Sequence, residues 1–374
     1  MKKVLILSFT AGGGHNATAK AMRAYFWAHD AECDILDTIG SASPTFAKSL
    51  ERNYLWISSK TKNVWRVGYR LAEKRKNTAF DETIEQIVSS PFKREIATYI
   101  QESEPDVILF THPFGGVILD DLKRSGKLSA PTVGILTDFV FHPFWEDCTG
   151  NDYVVIPAAP LRYQARRKGF ADSQVLPLGI PILPKFAKSL PQKEARAALG
   201  LDPECATVLL MSGSVGYVSM EQTVRDMDSL DLAEDFQILA VCGNNKKVLR
   251  DLQALETRHR MLPFGFVDNV DVMMDASDCI ITKPGGMTIS EALAKRLPIV
   301  IVNPIPGQET RNTEFLLNSG AAVAANKICG VDELVAGLLE DKKRLDAMRA
   351  SIELLRHPDS TRDVCEFALS LVKE

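Results

Sequence analysis

The chain has 374 residues, 45% hydrophobic and 25% charged, and 44 basic against 48 acidic side chains leave a net charge of -4. That length exceeds one ordinary core and implies about two domains, while the near-balanced charge offers no global argument for nucleic acid. The seven cysteines (Cys33, Cys148, Cys205, Cys242, Cys279, Cys329, Cys365) are scattered, odd in number and form no CxxC pair, which speaks against a disulfide framework or zinc ribbon and fits a reducing compartment.

The opening MKKVLILSFTAGGGH has two lysines and an apolar run that glycines interrupt after about six residues, so it reads as a first β-strand, Lys3 to Phe9, and not as a signal peptide. Asn16 to His29 then reads as an alanine-rich helix. Between them stand Gly12, Gly13, Gly14 and His15: glycines there let a ligand approach the backbone closely, and the helix start offers partial positive charge. Gly12, Gly14 and Ala17 satisfy the G-x-G-x-x-A dinucleotide fingerprint, with Asp34 twenty residues after Gly14. A histidine at such a turn is placed as a general base, because its ordinary pKa lets it accept a proton at neutral pH; a capping or packing histidine is the plain alternative.

Residues 43–76 depart from this pattern: nine Lys and Arg side chains stand against Glu51 and Glu73, interleaved with Phe46, Tyr54, Trp56, Trp65 and Tyr69. Cations mixed with tryptophan and tyrosine suit an anionic membrane surface, and a solvated helical insertion with packed aromatics is the alternative. No stretch approaches the roughly 20 apolar residues of a bilayer crossing, so membrane contact is expected to be peripheral.

Apolar runs at Asp106 to Phe110, Thr132 to Leu136 and Tyr153 to Ile156 alternate with helical patterns, the grammar of a parallel, doubly wound α/β sheet. Asp138, just after the second run, falls on the ligand-binding edge of such a sheet, as a base, as the orienter of a histidine, or as a structural cap. His112 and His142 precede prolines and no HExxH spacing exists, so no zinc site is expected.

The proline-rich Leu176 to Pro191 is the expected linker, after which the pattern restarts. The expected domains are 1–178 and 191–350, with 351–374 a C-terminal helix packing back toward the first domain. Met211 to Gly216 reads as a strand end and glycine-rich turn, with Ser212, Gly213 and Ser214 facing a ligand. The run Thr282-Lys283-Pro284-Gly285-Gly286-Met287-Thr288 ends a strand, and a helix from Ile289 to Lys295 follows; its exposed amides and dipole suit a diphosphate, and Glu291 suits ribose hydroxyls. Gln308 and Glu309, in a loop after the strand Ile299 to Val302, offer an amide and a carboxylate to vicinal hydroxyls.

Together, GGGHNATAKAM, LTDF with HPFW, GIP, GFVDNVDVMMDASDCIITKPGGMTISEAL and IPGQETRN resemble the family of monogalactosyldiacylglycerol synthases and processive diacylglycerol glucosyltransferases, which is related to the peptidoglycan lipid II N-acetylglucosaminyltransferase. The resemblance spans nearly the whole chain. It implies a GT-B fold, two Rossmann-like domains facing a central cleft, and an inverting transfer of hexose from UDP-glucose or UDP-galactose to diacylglycerol or a related lipid, without metal or other cofactor. It implies His15 as base, residues 43–76 as the membrane-associating acceptor region, and a cytoplasmic enzyme peripheral on the inner face of the plasma membrane. In the donor half it implies uracil at the backbone of Phe266, diphosphate at Pro284 to Thr288, ribose at Glu291 and sugar at Gln308 and Glu309, with Val267 and Lys283 also in the donor site. The glycine-rich turn MSGSVG and the aromatic-basic strip depart from the family pattern. A UDP-sugar epimerase of the same fold, a non-catalytic UDP-sugar sensor and an NAD dehydrogenase are the competing readings.

Overall fold

Short runs of branched and aliphatic residues bounded by Gly, Pro and Asp become strands, those inside each sheet largely buried on both faces and those at the edges partly exposed. In the computed structural model, which describes residues 1–9, 13–38, 91–211 and 220–373, they form two sheets. The first contains β1 (Lys2–Ser8), β2 (Ala31–Asp37), β3 (Val107–Phe110), β4 (Thr132–Ile135), β5 (Tyr153–Val155) and β6 (Val175–Leu176), in the order β2-β1-β3-β4-β5-β6. The second contains β7 (Ala206–Met211), β8 (Phe236–Val241), β9 (Arg260–Phe264), β10 (Cys279–Thr282), β11 (Ile299–Ile301) and β12 (Ala322–Ala324), in the order β12-β11-β10-β7-β8-β9. Every pairing is parallel.

The chain divides into two compact units: 1–184 with 306–308 and 359–374, and 185–305 with 309–358. The passage between them at Pro184 and Lys185 lies inside the proline-rich segment. The boundary expected at 350 and 351 falls instead within the helix Lys342–Glu353, because Ile352 and Leu355 are buried in the second unit and the chain leaves it only after Pro358. The helix Ser360–Ser370 then places Val364, Cys365 and Ala368 in the first unit's core beside Val4, Ile6 and Met22. Ser360 Oγ donates to the Ile180 carbonyl at 2.8 Å, fixing that helix to the end of the first unit's own chain.

Glycine is the close-packing residue of the first core. A Cβ on Gly134 would stand 2.6 Å from Phe110 Cζ and 2.9 Å from Trp145 Cζ3. The Trp145 indole therefore lies where β4 has no side chain, stacked on Phe110 at 5.7 Å between centroids. Among the described residues no helix is long and apolar enough to cross a membrane.

Candidate active site

Both sheets reverse strand order at one place, between β1 and β3 in the first unit and between β7 and β10 in the second. Ligand crevices form outside the carboxyl ends of strands at such a switch point. In the first unit, the residues leaving those ends are Ser8 and Phe9 on one side and Thr111 and His112 on the other.

The helix after β1 runs Gly13–Ala28, so Gly13, Gly14 and His15 lie in its first turn, three residues ahead of the expected start at Asn16. Asn16 Oδ1 accepts from Ser8 Oγ at 2.6 Å, tying the first turn to the strand it follows. Gly12 lies outside the described residues.

His15 is half-buried, and its Nδ1 stands 2.7 Å from the Thr111 carbonyl oxygen. A carbonyl only accepts, so Nδ1 carries the proton and Nε2 holds the lone pair. The Thr137 hydroxyl stands 3.2 Å from the same Nδ1. Burial pushes His15 down from 6.5 to about 4, against the Thr111 carbonyl, which acts in the opposite direction. At neutral pH the ring is uncharged and able to accept a proton.

Asp138 lines the same small cavity as His15, Thr111 and His112, and so does Gln308, which belongs to the first unit. Thr137, one residue before Asp138, also reaches His15 Nδ1 from this edge of the sheet.

In the second unit, β10 ends at Thr282 and the helix Gly286–Ala294 begins four residues later with Gly285 at its N-cap. No side chain caps that end through the N-cap residue, so the helix start at Gly286 and Thr288 directs amides and partial positive charge toward an anion. This helix also starts three residues ahead of expectation. Lys283 leads into it, and its carbonyl accepts from Gly285 N at 2.9 Å. The buried Asn312 donates through Nδ2 to the Pro284 carbonyl at 2.9 Å, holding the turn from the neighbouring helix.

Glu291, in the second turn, has its carboxyl raised from 4.5 to about 8, first by burial and then by Asp271, against the opposing pull of Lys185. Lys185 pairs with Asp271 at 3.1 Å. Phe266 and Val267 follow the end of β9, and the Phe266 ring is 75% exposed, a large apolar surface left in water. Gln308 and Glu309, expected in a loop, form the first turn of the helix Gln308–Asn318. Gly307, with φ of 103°, turns the chain into it. One Glu309 carboxylate oxygen accepts from Ile305 N at 2.6 Å. Ser212, Gly213, Ser214 and the strip 43–76 lie outside the described residues.

Residues 15–182 match the family described as monogalactosyldiacylglycerol (MGDG) synthase, and residues 207–360 match the glycosyltransferase family 28 C-terminal domain. The processive diacylglycerol beta-glucosyltransferase of Bacillus pumilus is 28% identical over 368 residues, covering 98% of this chain and 94% of that one. Its Bacillus subtilis counterpart is 28% identical over 373 residues at the same coverage. Among solved structures, MurG of Acinetobacter baumannii superposes with a TM-score of 0.68 at 15% identity, covering 99% of this chain and 100% of that one. Anabaena Alr3699/HepE in complex with UDP superposes with a TM-score of 0.55 at 13% identity, again over 99% and 100%. At these identities the likeness to solved structures is one of fold.

Proposed function

We propose, from the match of residues 15–182 to the monogalactosyldiacylglycerol synthase family and from diacylglycerol glucosyltransferases 28% identical over nearly the whole chain, that the chain moves a hexosyl group from a UDP-sugar to diacylglycerol with inversion at the anomeric carbon. It is a glycosyltransferase of GT-B fold that forms a glycolipid. UDP-glucose is the favoured donor, in keeping with the names of its relatives, and UDP-galactose is the alternative.

The observation that carries the mechanism is the tautomer of His15. With Nδ1–H anchored on the Thr111 carbonyl, Nε2 takes the proton from the acceptor hydroxyl as that oxygen forms its bond to the anomeric carbon. The bond from that carbon to the diphosphate oxygen breaks on the opposite face, and UDP leaves with the electron pair. Charge on the leaving diphosphate is met by the amides of Gly286 and Thr288 at a helix N-terminus, with Lys283, Gly285 and Met287 completing the turn. In this reading these amides take the part that a metal plays in other transferases.

Glu291 receives the ribose hydroxyls, Phe266 and Val267 the uracil, and Gln308 and Glu309 the sugar. Gly13 and Gly14 leave the helix start open beside His15. Asp138, at the cavity edge, orients polar groups there. Residues 43–76 carry the chain to the inner face of an anionic membrane, where a peripheral cytoplasmic enzyme meets its lipid.

UDP release measured with and without diacylglycerol in anionic micelles tests the reading. Release that depends on the lipid supports transfer. Sugar isomerisation without lipid would identify an epimerase, and UDP-sugar binding with no turnover a sensor.

A further inference from the structure

Two His-Pro-Phe triplets, His112-Pro113-Phe114 and His142-Pro143-Phe144, stand 30 residues apart in the chain and open the helix Pro113–Arg124 and the 3-10 helix Pro143–Cys148. In each, the histidine is the N-cap and its Nδ1 accepts from the backbone N–H two residues on, at 3.2 Å from Phe114 and 3.3 Å from Phe144. A capping Nδ1 must be unprotonated, so each neutral ring carries its proton on Nε2 and presents a donor there. His15 has the opposite tautomer. The three histidines line one cavity of about 20 Å³, room for a single oxygen-sized group.

His112 is held rigidly. Phe9 stacks on its ring at 4.0 Å and 14°, and the Phe114 and His15 rings meet it edge-on at 4.7 and 5.0 Å. Burial, then the neighbouring His15 and His142, keep it well below the usual histidine range, so it stays neutral when His15 takes up a proton. The residue before it supplies a second, independent sign. Thr111 lines the same cavity, and its Oγ1 is fully buried with no hydrogen-bond partner among the described residues. A buried hydroxyl left unmet is costly, and a ligand that meets it recovers that cost on binding.

We propose that His112 Nε2–H and the Thr111 hydroxyl donate together to one side of the acceptor hydroxyl oxygen, sharing one of its lone pairs and leaving the other to attack the anomeric carbon, while its O–H faces His15 Nε2. Neither residue exchanges a proton in the step; both orient the nucleophile. The inference rests on the lipid glycosyltransferase reading and adds two residues that contact the acceptor.

Paired substitutions separate this role from capping. His112→Asn keeps an acceptor near the position of Nδ1 and loses the Nε2 donor. His112→Gln places an amide donor near the position of Nε2 and loses the cap. Thr111→Val removes only the hydroxyl. Wild type and variants are assayed with UDP-glucose and diacylglycerol, alongside UDP affinity and Tm.

The expected result is an about tenfold to hundredfold fall in kcat/KM for the acceptor in His112→Asn and Thr111→Val. UDP affinity stays unchanged in both, and Tm in Thr111→Val holds or rises. His112→Gln retains most of the turnover and loses Tm. Full turnover in His112→Asn with loss confined to the Tm of His112→Gln would reduce the histidine to a cap. Full turnover in a stabilised Thr111→Val would overturn the threonine's part. A wild type inactive on every lipid acceptor would overturn the glycosyltransferase reading and this inference with it.

Discussion

Glu291 makes donor binding a proton-linked event. Its carboxyl, raised to about 8 by burial and by Asp271, is about nine-tenths protonated at pH 7 and about nine-tenths ionised at pH 9. Ribose hydroxyls donating to a carboxylate demand the ionised form. UDP affinity should therefore improve about tenfold between pH 7 and pH 9, a gain of about 1.4 kcal/mol, with nearly one proton released per UDP bound at pH 7. Calorimetric titrations at pH 7 in two buffers of different ionisation enthalpy count that proton, and the same titrations at pH 9 give the affinity ratio. Glu291→Gln supplies the baseline, since it keeps the hydrogen-bonding shape and cannot ionise, so the titration of UDP itself subtracts out. Wild-type affinity that tracks the glutamine variant at both pH values, with no excess proton release, would refute the placement of a buried carboxyl against the ribose.

With His15 held near 4, the acid limb of kcat/KM for the acceptor should fall about tenfold per pH unit below that value and stay flat from pH 5.5 to 7; a limb at 6.5 would mean an ordinary exposed imidazole. The same lowering bears on stability. His15 and His142 are each lowered from 6.5 to about 4 by burial, so unfolding takes up protons between those values. Their contribution is complete above pH 6.5 and is lost as pH falls to 4, by up to about 3 kcal/mol each, which urea titrations at pH 7 and 4.5 would register. Turnover should be indifferent to EDTA, because helix amides meet the diphosphate charge; a rate abolished by EDTA and restored by a divalent cation would contradict that. Gly134→Ala forces a methyl against Phe110 and Trp145 and should cost about 1–3 kcal/mol, read as a lower Tm.

The strand and glycine-turn grammar was legible from local pattern alone, which is why both switch-point turns and the helices behind them were found. The helices start three residues ahead of the sequence expectation, at Gly13 and at Gly286, because glycine's low helix propensity argues against a first turn where these helices place it to keep the backbone open. Pro306 and Gly307 hide the helix start at Gln308 from local pattern, although a glycine at positive φ followed by Gln-Glu-Thr-Arg is also how a helix begins.

The site's supporting residues were out of reach. Thr111, Thr137 and Asn312 act across sequence separations of 96, 122 and 28 residues, and no short-range pattern marks a threonine that holds a distant histidine or an asparagine that holds a distant turn. Proline at the first helical position is the sequence signal that His112 and His142 are caps.

The central claim is that His15 drives hexosyl transfer to diacylglycerol, and the most direct measurement is the mass of the lipid. Diacylglycerol in anionic micelles is incubated with UDP-glucose or UDP-galactose and either the wild-type chain or His15→Ala. The account expects a gain of one or more hexose units with wild type, and product formation slowed by about 10²–10⁴-fold in the variant while UDP affinity is retained. Unchanged lipid with both donors, or a His15→Ala variant as fast as wild type, would contradict it.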